Sequence, residues 1–135
     1  MELVRERQGV IWINDSKATN VGAVIAALEG LDRPVILIAG GDGKGADFSP
    51  LRRAVAKYAR HVLLIGRDAP VIAAAIGDAA AVERCRSLTQ AAARAARLAR
   101  PGDAVVLAPA CASFDMFRDF AARGDAFRDA VRSLR

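Results

Sequence analysis

The segment Pro34-Val-Ile-Leu-Ile-Ala-Gly-Gly-Asp-Gly-Lys-Gly45 decides the fold. Val35–Ala39 is an unbroken apolar run, with none of the polar alternation of a half-exposed strand. Such a run fits a strand covered by helices on both faces. Val62–Ile65 and Ala104–Ala108 repeat the pattern. None of these runs approaches the roughly 20 apolar residues that cross a bilayer, and no signal peptide opens the chain, so no membrane role is expected.

Helix signals fill the intervals. Thr19 or Asn20 can cap a helix through Leu28, with Gly30 at its stop. Ser49-Pro50 predicts a helix from about Pro50 to Ala59. A short helix is expected over Ala69–Ile76 and a short edge strand over Ala81–Cys85. Ser87-Leu-Thr-Gln90 reads as a capping box, opening an Ala-rich helix that Pro101-Gly102 ends. Ser113 and Asp125 read as caps of two C-terminal helices, with Gly124 as the break between them. At the other end, Leu3–Arg7 and Val10–Ile13 flank Gln8-Gly9 as a hairpin or two edge strands. Strands alternating with helices imply a three-layer α/β sandwich with a mostly parallel sheet plus this N-terminal hairpin.

The chain has 135 residues, 53% hydrophobic and 26% charged, which fits one globular domain over residues 1–135 and excludes a disordered chain. The net charge is +5, carried by 17 Arg and only three Lys: Lys17, Lys44 and Lys57. The Arg residues are spread from Arg5 to Arg135, so they read as a solvated surface, Arg94, Arg97 and Arg100 included. No nucleic-acid partner is expected. Cys85, Cys111 and the single His61 are too few and too scattered for a zinc site or a disulfide framework, and read as residues of a reduced, cytoplasmic protein.

In a parallel sheet the ligand crevice lies beyond the carboxyl ends of the strands. Three polar loops fall there: Asn14-Asp-Ser-Lys-Ala-Thr-Asn20, Gly40-Gly-Asp-Gly-Lys-Gly45 and Pro109-Ala-Cys-Ala-Ser113. The glycine loop is not a P-loop, because Gly45 follows Lys44 where a Ser or Thr would bind magnesium. It reads either as a cradle of backbone N–H groups around an anion or as a tight turn. Lys17 and Lys44 stand out because this chain otherwise uses Arg for charge. Asp15 and Asp42 could orient them. Phe114, Phe117 and Phe120 fall at helical spacing, so at least one belongs in the core, and Trp12 reads as packing. The loops taken alone also fit a stand-alone, non-catalytic module that binds an anionic nucleotide or metabolite.

Asp15-Ser-Lys-Ala-Thr-Asn20 after a Trp-containing strand, Gly40-Gly-Asp-Gly-Lys44 and Pro109-Ala-Cys-Ala-Ser113, in that order, closely resemble the C-terminal domain of the Mur ligases. The first motif points to the D-glutamate-adding branch. The resemblance spans nearly the whole chain. It implies a Rossmann-like lid of a cytoplasmic, ATP- and Mg2+-dependent ligase of peptidoglycan synthesis. That ligase would join D-glutamate to UDP-N-acetylmuramoyl-L-alanine through an acyl phosphate.

By the same resemblance Asp15 contacts the nucleotide and Lys17 lies near its phosphates. Thr19, Lys44 and Ser113, with the backbone near Phe114 and Phe120, hold the D-glutamate carboxylates, and Asp42 places Lys44. No residue of this domain is assigned to the bond-making chemistry itself, and no metal ligand is expected. The family's N-terminal UDP-substrate domain and central ATPase domain, with its P-loop, magnesium ligands and modified lysine, have no counterpart in this sequence. An Arg that touches ATP phosphates would fall before Met1, so Met1 is expected to be an internal boundary of a longer enzyme. The isolated chain is then expected to be inactive.

Overall fold

Successive side chains along each strand take opposite faces of the sheet, and that alternation sorts the core into two halves. The computed structural model describes all 135 residues as six strands and five helices. They are β1 (Glu2–Arg7), β2 (Val10–Asn14), α1 (Val21–Glu29), β3 (Val35–Gly40), α2 (Leu51–Tyr58), β4 (Ala59–Ile65), α3 (Ala69–Ile76), β5 (Ala81–Arg84), α4 (Leu88–Leu98), β6 (Ala104–Leu107) and α5 (Phe120–Arg132). The sheet order is β1-β2-β6-β3-β4-β5, parallel except for the β1/β2 hairpin.

Val35, Leu37 and Ala39 pack with α1, α2 and α3 on one face, while Ile36 and Ile38 pack with α4 and α5 on the other. All six β3 residues are buried. At roughly 1.5–3 kcal/mol for each fully buried large aliphatic side chain, this strand is the centre of the stability. Trp12 is a core residue, its ring 6.5 Å from that of Phe127 and tilted by 42°. The sandwich, the hairpin and the buried strands are as the sequence reading expects.

Three expectations change. Gly124 does not break a helix: α5 runs continuously from Phe120 to Arg132, and its cap is Asp119, whose side chain accepts from Ala122 N. Gly124 is there because a Cβ would sit 3.0 Å from Asn14 Nδ2 and 3.5 Å from Ser16 Cβ, where α5 crosses the loop after β2. Ser113 caps no α-helix; its carbonyl accepts from Met116 N and Phe117 N in a turn. The Phe114–Phe120 spacing is therefore not helical, and Phe114 is 65% exposed. Pro50 occupies the cap position itself, and Ser49 supplies no capping side chain.

The arginines are not simply a solvated surface either. Arg5, Arg52 and Arg60 donate to carbonyls at the C-terminal ends of α5, α3 and α4 (Val131 and Leu134, Ile76, and Leu98). A forked guanidinium reaches such orphan carbonyls from another element, which explains the preference for Arg over Lys. Arg123 is fully buried.

Two measurements test this packing. A Cβ on Gly40 would lie 1.9 Å from the Ile65 carbonyl oxygen at φ +121°, whereas Gly45 at φ +73° faces open space. Gly40→Ala should cost on the order of 3 kcal/mol or more, and Gly45→Ala only about 1 kcal/mol. Equal urea midpoints for the two variants would contradict the assignment. Burial pushes the Cys111 thiol up to about 12. Burial and then Glu83 raise Cys85, which is only half-buried. A thiol reagent at pH 8 should therefore label Cys85 slowly and Cys111 only on unfolding; rapid labelling of Cys111 in the native protein would overturn its placement.

Candidate functional site

Strand β6 is flanked by β2 and β3, whose chains turn into helices on one face of the sheet, while the chain leaving β6 enters α5 on the other face. Neighbouring strands that diverge in this way leave a crevice beyond their carboxyl ends. By that rule a crevice falls on each side of β6.

The loops that border these crevices are tied together through the backbone. Asp42 and Ala112 exchange two hydrogen bonds of 3.0 and 2.9 Å. Gly40 N donates to Pro109 O, Ala110 N to Ala18 O, and Asp15 N to Leu107 O. The loop after β4 joins them as well. Asp68 N donates to Gly41 O, Gly43 N to the Asp68 carboxylate at 2.7 Å, and Arg67 N to Asp115 Oδ2 at 2.9 Å, while the Arg67 guanidinium pairs with Asp42.

On the β3/β6 side sit Asp42, Lys44, Ser113 and Phe114. Asp42 Oδ1 accepts from Lys44 N at 3.0 Å, which holds Lys44 in a left-handed turn at φ 51°. Lys44 Nζ lies 5.6 Å from the centre of the exposed Phe114 ring. The Ser113 hydroxyl is buried and has no hydrogen-bond partner. A satisfied hydroxyl is the rule inside proteins, so this one stands as an open valence beside the lysine loop.

Beside the β1/β2 hairpin, a cavity of about 380 Å3 lies between Met1 and Glu2, the loop after β2 and the first turns of α5. Asp15, Lys17 and Phe120 line it. Phe120 heads α5, where backbone N–H groups lack intrahelical acceptors, and its carbonyl accepts from Ser16 Oγ at 2.7 Å. Thr19 is exposed at the start of α1, beside Ala18, which is tied to Ala110. The predicted residues thus form two groups along a single sheet edge: Asp42, Lys44, Ser113 and Phe114 on the β3/β6 side, and Asp15, Lys17 and Phe120 at the cavity, so the residues expected to hold D-glutamate are divided between them. No group of three or more His, Cys, Asp or Glu side chains is placed to hold a metal ion.

Of the two readings of the glycine loop, the structure supports the turn. The N–H groups of Gly40, Asp42, Gly43, Lys44 and Ala46 all donate within the protein, so they form no cradle for an anion. The glycines serve close packing: a Cβ on Gly41 would meet Ala112 O at 2.5 Å, and one on Gly43 the Phe48 ring at 2.5 Å.

Sequence reasoning missed Gly66-Arg-Asp68, although a glycine and two charges directly after the apolar Val62–Ile65 run carry the same signal as Gly40–Lys44. It also missed Arg123, which nothing local distinguishes from its sixteen sister arginines. Inside the fold Arg123 Nε donates to Ser16 Oγ at 2.9 Å, one terminal nitrogen to Ser16 O at 2.8 Å and the other to Cys111 O at 2.9 Å. Burial draws its guanidinium down to about 10, which leaves it charged at neutral pH.

Comparison with known proteins agrees with the three motifs. The family model described as Mur ligase, glutamate ligase domain matches residues 1–111. A UDP-N-acetylmuramoylalanine–D-glutamate ligase of Aromatoleum aromaticum is 60% identical over 136 residues, covering 99% of this chain and 29% of that protein. Its namesakes in Chromobacterium violaceum and Pseudomonas aeruginosa are each 57% identical, with this chain spanning 30% of either. The chain therefore spans under a third of the length of the curated relatives it matches. Two solved structures share the fold. A domain described as coming from a UDP-N-acetylmuramate:L-alanyl-γ-D-glutamyl-diaminopimelate ligase of Haemophilus ducreyi has a TM-score of 0.63 at 13% identity, over 96% of this chain and 98% of that one. A murein peptide ligase of Psychrobacter arcticus has a TM-score of 0.64 at 17% identity, over 100% of this chain and 30% of that one. With motifs, sheet order and relatives in agreement, the chain belongs to the Mur ligase family, as its C-terminal domain.

Proposed function

We propose that this chain is the lid of an ATP-dependent ligase that joins D-glutamate to UDP-N-acetylmuramoyl-L-alanine. The γ-phosphoryl group of ATP passes to the terminal carboxylate of the UDP-linked substrate, giving an acyl phosphate and ADP. The D-glutamate amine attacks the acyl carbon, the C–N bond forms, phosphate leaves, and the amine gives up a proton. The observation that carries this reading is the presence of two separate groups of cationic and hydroxyl side chains on one sheet edge, which suits two different anionic ligands.

In the β3/β6 crevice Lys44 is an exposed point charge on a fixed loop and Ser113 an unpaired hydroxyl, the donors that a dicarboxylate needs. The backbone at Phe114 completes the contacts here, and Thr19 and the N–H groups at Phe120 meet the ligand from the side of the cavity that Phe120 lines. Asp42 acts through the Lys44 backbone, setting the turn and leaving the ammonium free. Asp15 and Lys17, at the 380 Å3 cavity, fit the ribose and phosphates of a nucleotide: a carboxylate for hydroxyls and an ammonium for the anion. Magnesium, which the family uses with ATP, finds no ligand set among the carboxylates of this chain.

The catalytic contribution of such a lid is position. Holding the amine beside an acyl phosphate makes the attack intramolecular, with effective molarities up to ~10^8 M in the best cases. Closing the domain over the site also keeps water from the acyl phosphate. The activity belongs to the longer enzyme, with its N-terminal UDP-substrate and central ATPase domains. Rigid alignment of two half-sites favours this reading over a free-standing binding module.

In the full-length enzyme, Lys44→Ala should raise KM for D-glutamate at least about tenfold and leave KM for ATP near its original value. A D-glutamate KM and turnover both within about twofold of the parent would refute the role given to Lys44. The 135-residue chain alone should release no phosphate from ATP in the presence of both acceptors, and measurable condensation would refute the lid assignment.

A further inference from the structure

Arg123 is a buried cation that makes no direct ion pair, its one favourable carboxylate influence coming from Asp115 at longer range. It is 1% exposed and takes part in none of the ion pairs of the molecule. Its donors go to neutral oxygens only, two on Ser16 and one on Cys111. Burying a charge without a paired charge is unfavourable, so an apolar side chain at this point would have served stability as well. What an apolar residue could not do is hold two loops and a helix in one geometry.

Both loops belong to the site. Ser16 stands between Asp15 and Lys17, and Cys111 stands two residues before Ser113. Ser16 is held further: its hydroxyl donates to Phe120 O at 2.7 Å and its amide to Asn14 Oδ1 at 3.1 Å. Asn14 in turn donates to Glu2, which pairs with Arg128 of α5. Besides the single backbone bond from Ala110 N to Ala18 O, the one link between the loop after β2 and the loop after β6 is the Arg123 fork, which adds a second tie through side-chain atoms.

We propose that Arg123 is the positioning residue of this site, setting the nucleotide crevice and the glutamate crevice at a fixed separation through Ser16 and Cys111. The assignment of a ligand to each crevice rests on the reading under Proposed function; the bridge itself does not. A lysine keeps the charge but presents a single point, and cannot reach acceptors on two loops in the fixed plane of a guanidinium. Charge alone therefore does not replace Arg123.

The test compares Arg123→Lys with Phe127→Leu in the full-length enzyme. Phe127 is a fully buried α5 residue of the opposite core cluster that touches neither loop by hydrogen bond, so it serves as a control for lost stability. Arg123→Lys should raise KM for ATP and for D-glutamate together, each about tenfold or more, while Phe127→Leu leaves both within about twofold. If Arg123→Lys behaves as Phe127→Leu does, or moves only one of the two KM values, the proposal is overturned.

Backbone amide shifts of the 135-residue chain separate this failure from a failure of the functional reading. In Arg123→Lys, residues 15–19 and 110–114 should both shift while β3 and β4 stay in place. If the parent enzyme ligates no D-glutamate, the functional reading falls and these shifts still decide the bridge; amides unmoved in either loop overturn it. Should Arg123→Lys not fold, Ser16→Ala is read instead. Shifts that travel on to residues 110–114 support the bridge, and shifts that stop at residue 19 overturn it.

Discussion

The site depends on one constraint, the position of β6 between two strands whose chains leave in the opposite direction. That placement opens a crevice on either side of β6, and the backbone closes the geometry. The paired bonds between Asp42 and Ala112, with Ala110 to Ala18 and Gly40 to Pro109, join three loops that are distant along the chain. Because main-chain groups do the joining, the side chains of Lys17, Thr19 and Lys44 stay exposed. A rim made this way can be rigid and still present free donors.

The same economy governs the charges. A small α/β domain buries most of its apolar side chains on the two faces of its sheet and has little further area to gain. Here the guanidiniums add long-range links instead, three to helix C-termini and one, Arg123, to the inside of the site edge. Each hydrogen bond from a charged guanidinium contributes roughly 1.5–3 kcal/mol, against which stands the cost of desolvating the cation. The larger effect is geometric, since a planar fork fixes the angle between the elements it joins. Ser113 shows the opposite case, a buried hydroxyl left without a partner in the middle of the rim.

Much of the fold could be read from the letters. The apolar runs at Val35, Val62 and Ala104 are strands because only burial on both faces makes such runs stable, and the caps at Asn20 and Ser87 are where local chemistry requires them. The gathering of Lys44 and Ser113 on one edge followed from the strand assignments. What could not be read depends on contacts between distant residues. Gly124 looks like a helix stop by propensity, yet it is a helical residue that makes room for Asn14 and Ser16. Arg123 is one arginine among many until the fold surrounds it. The glycine loop resembles an anion cradle until its amides are seen to be spent on Pro109, Ala112 and Asp68.

On the proposed reading, three loops make one receptor edge for a small dicarboxylate. A titration of D-glutamate into the isotopically labelled chain, followed by backbone amide resonances, tests it most directly. The amides of Thr19, Lys44 and Ser113 should move together along one saturation curve, with a Kd roughly in the millimolar range because half of the site is missing. Separate curves for the three loops, or shifts confined to one of them, would contradict it.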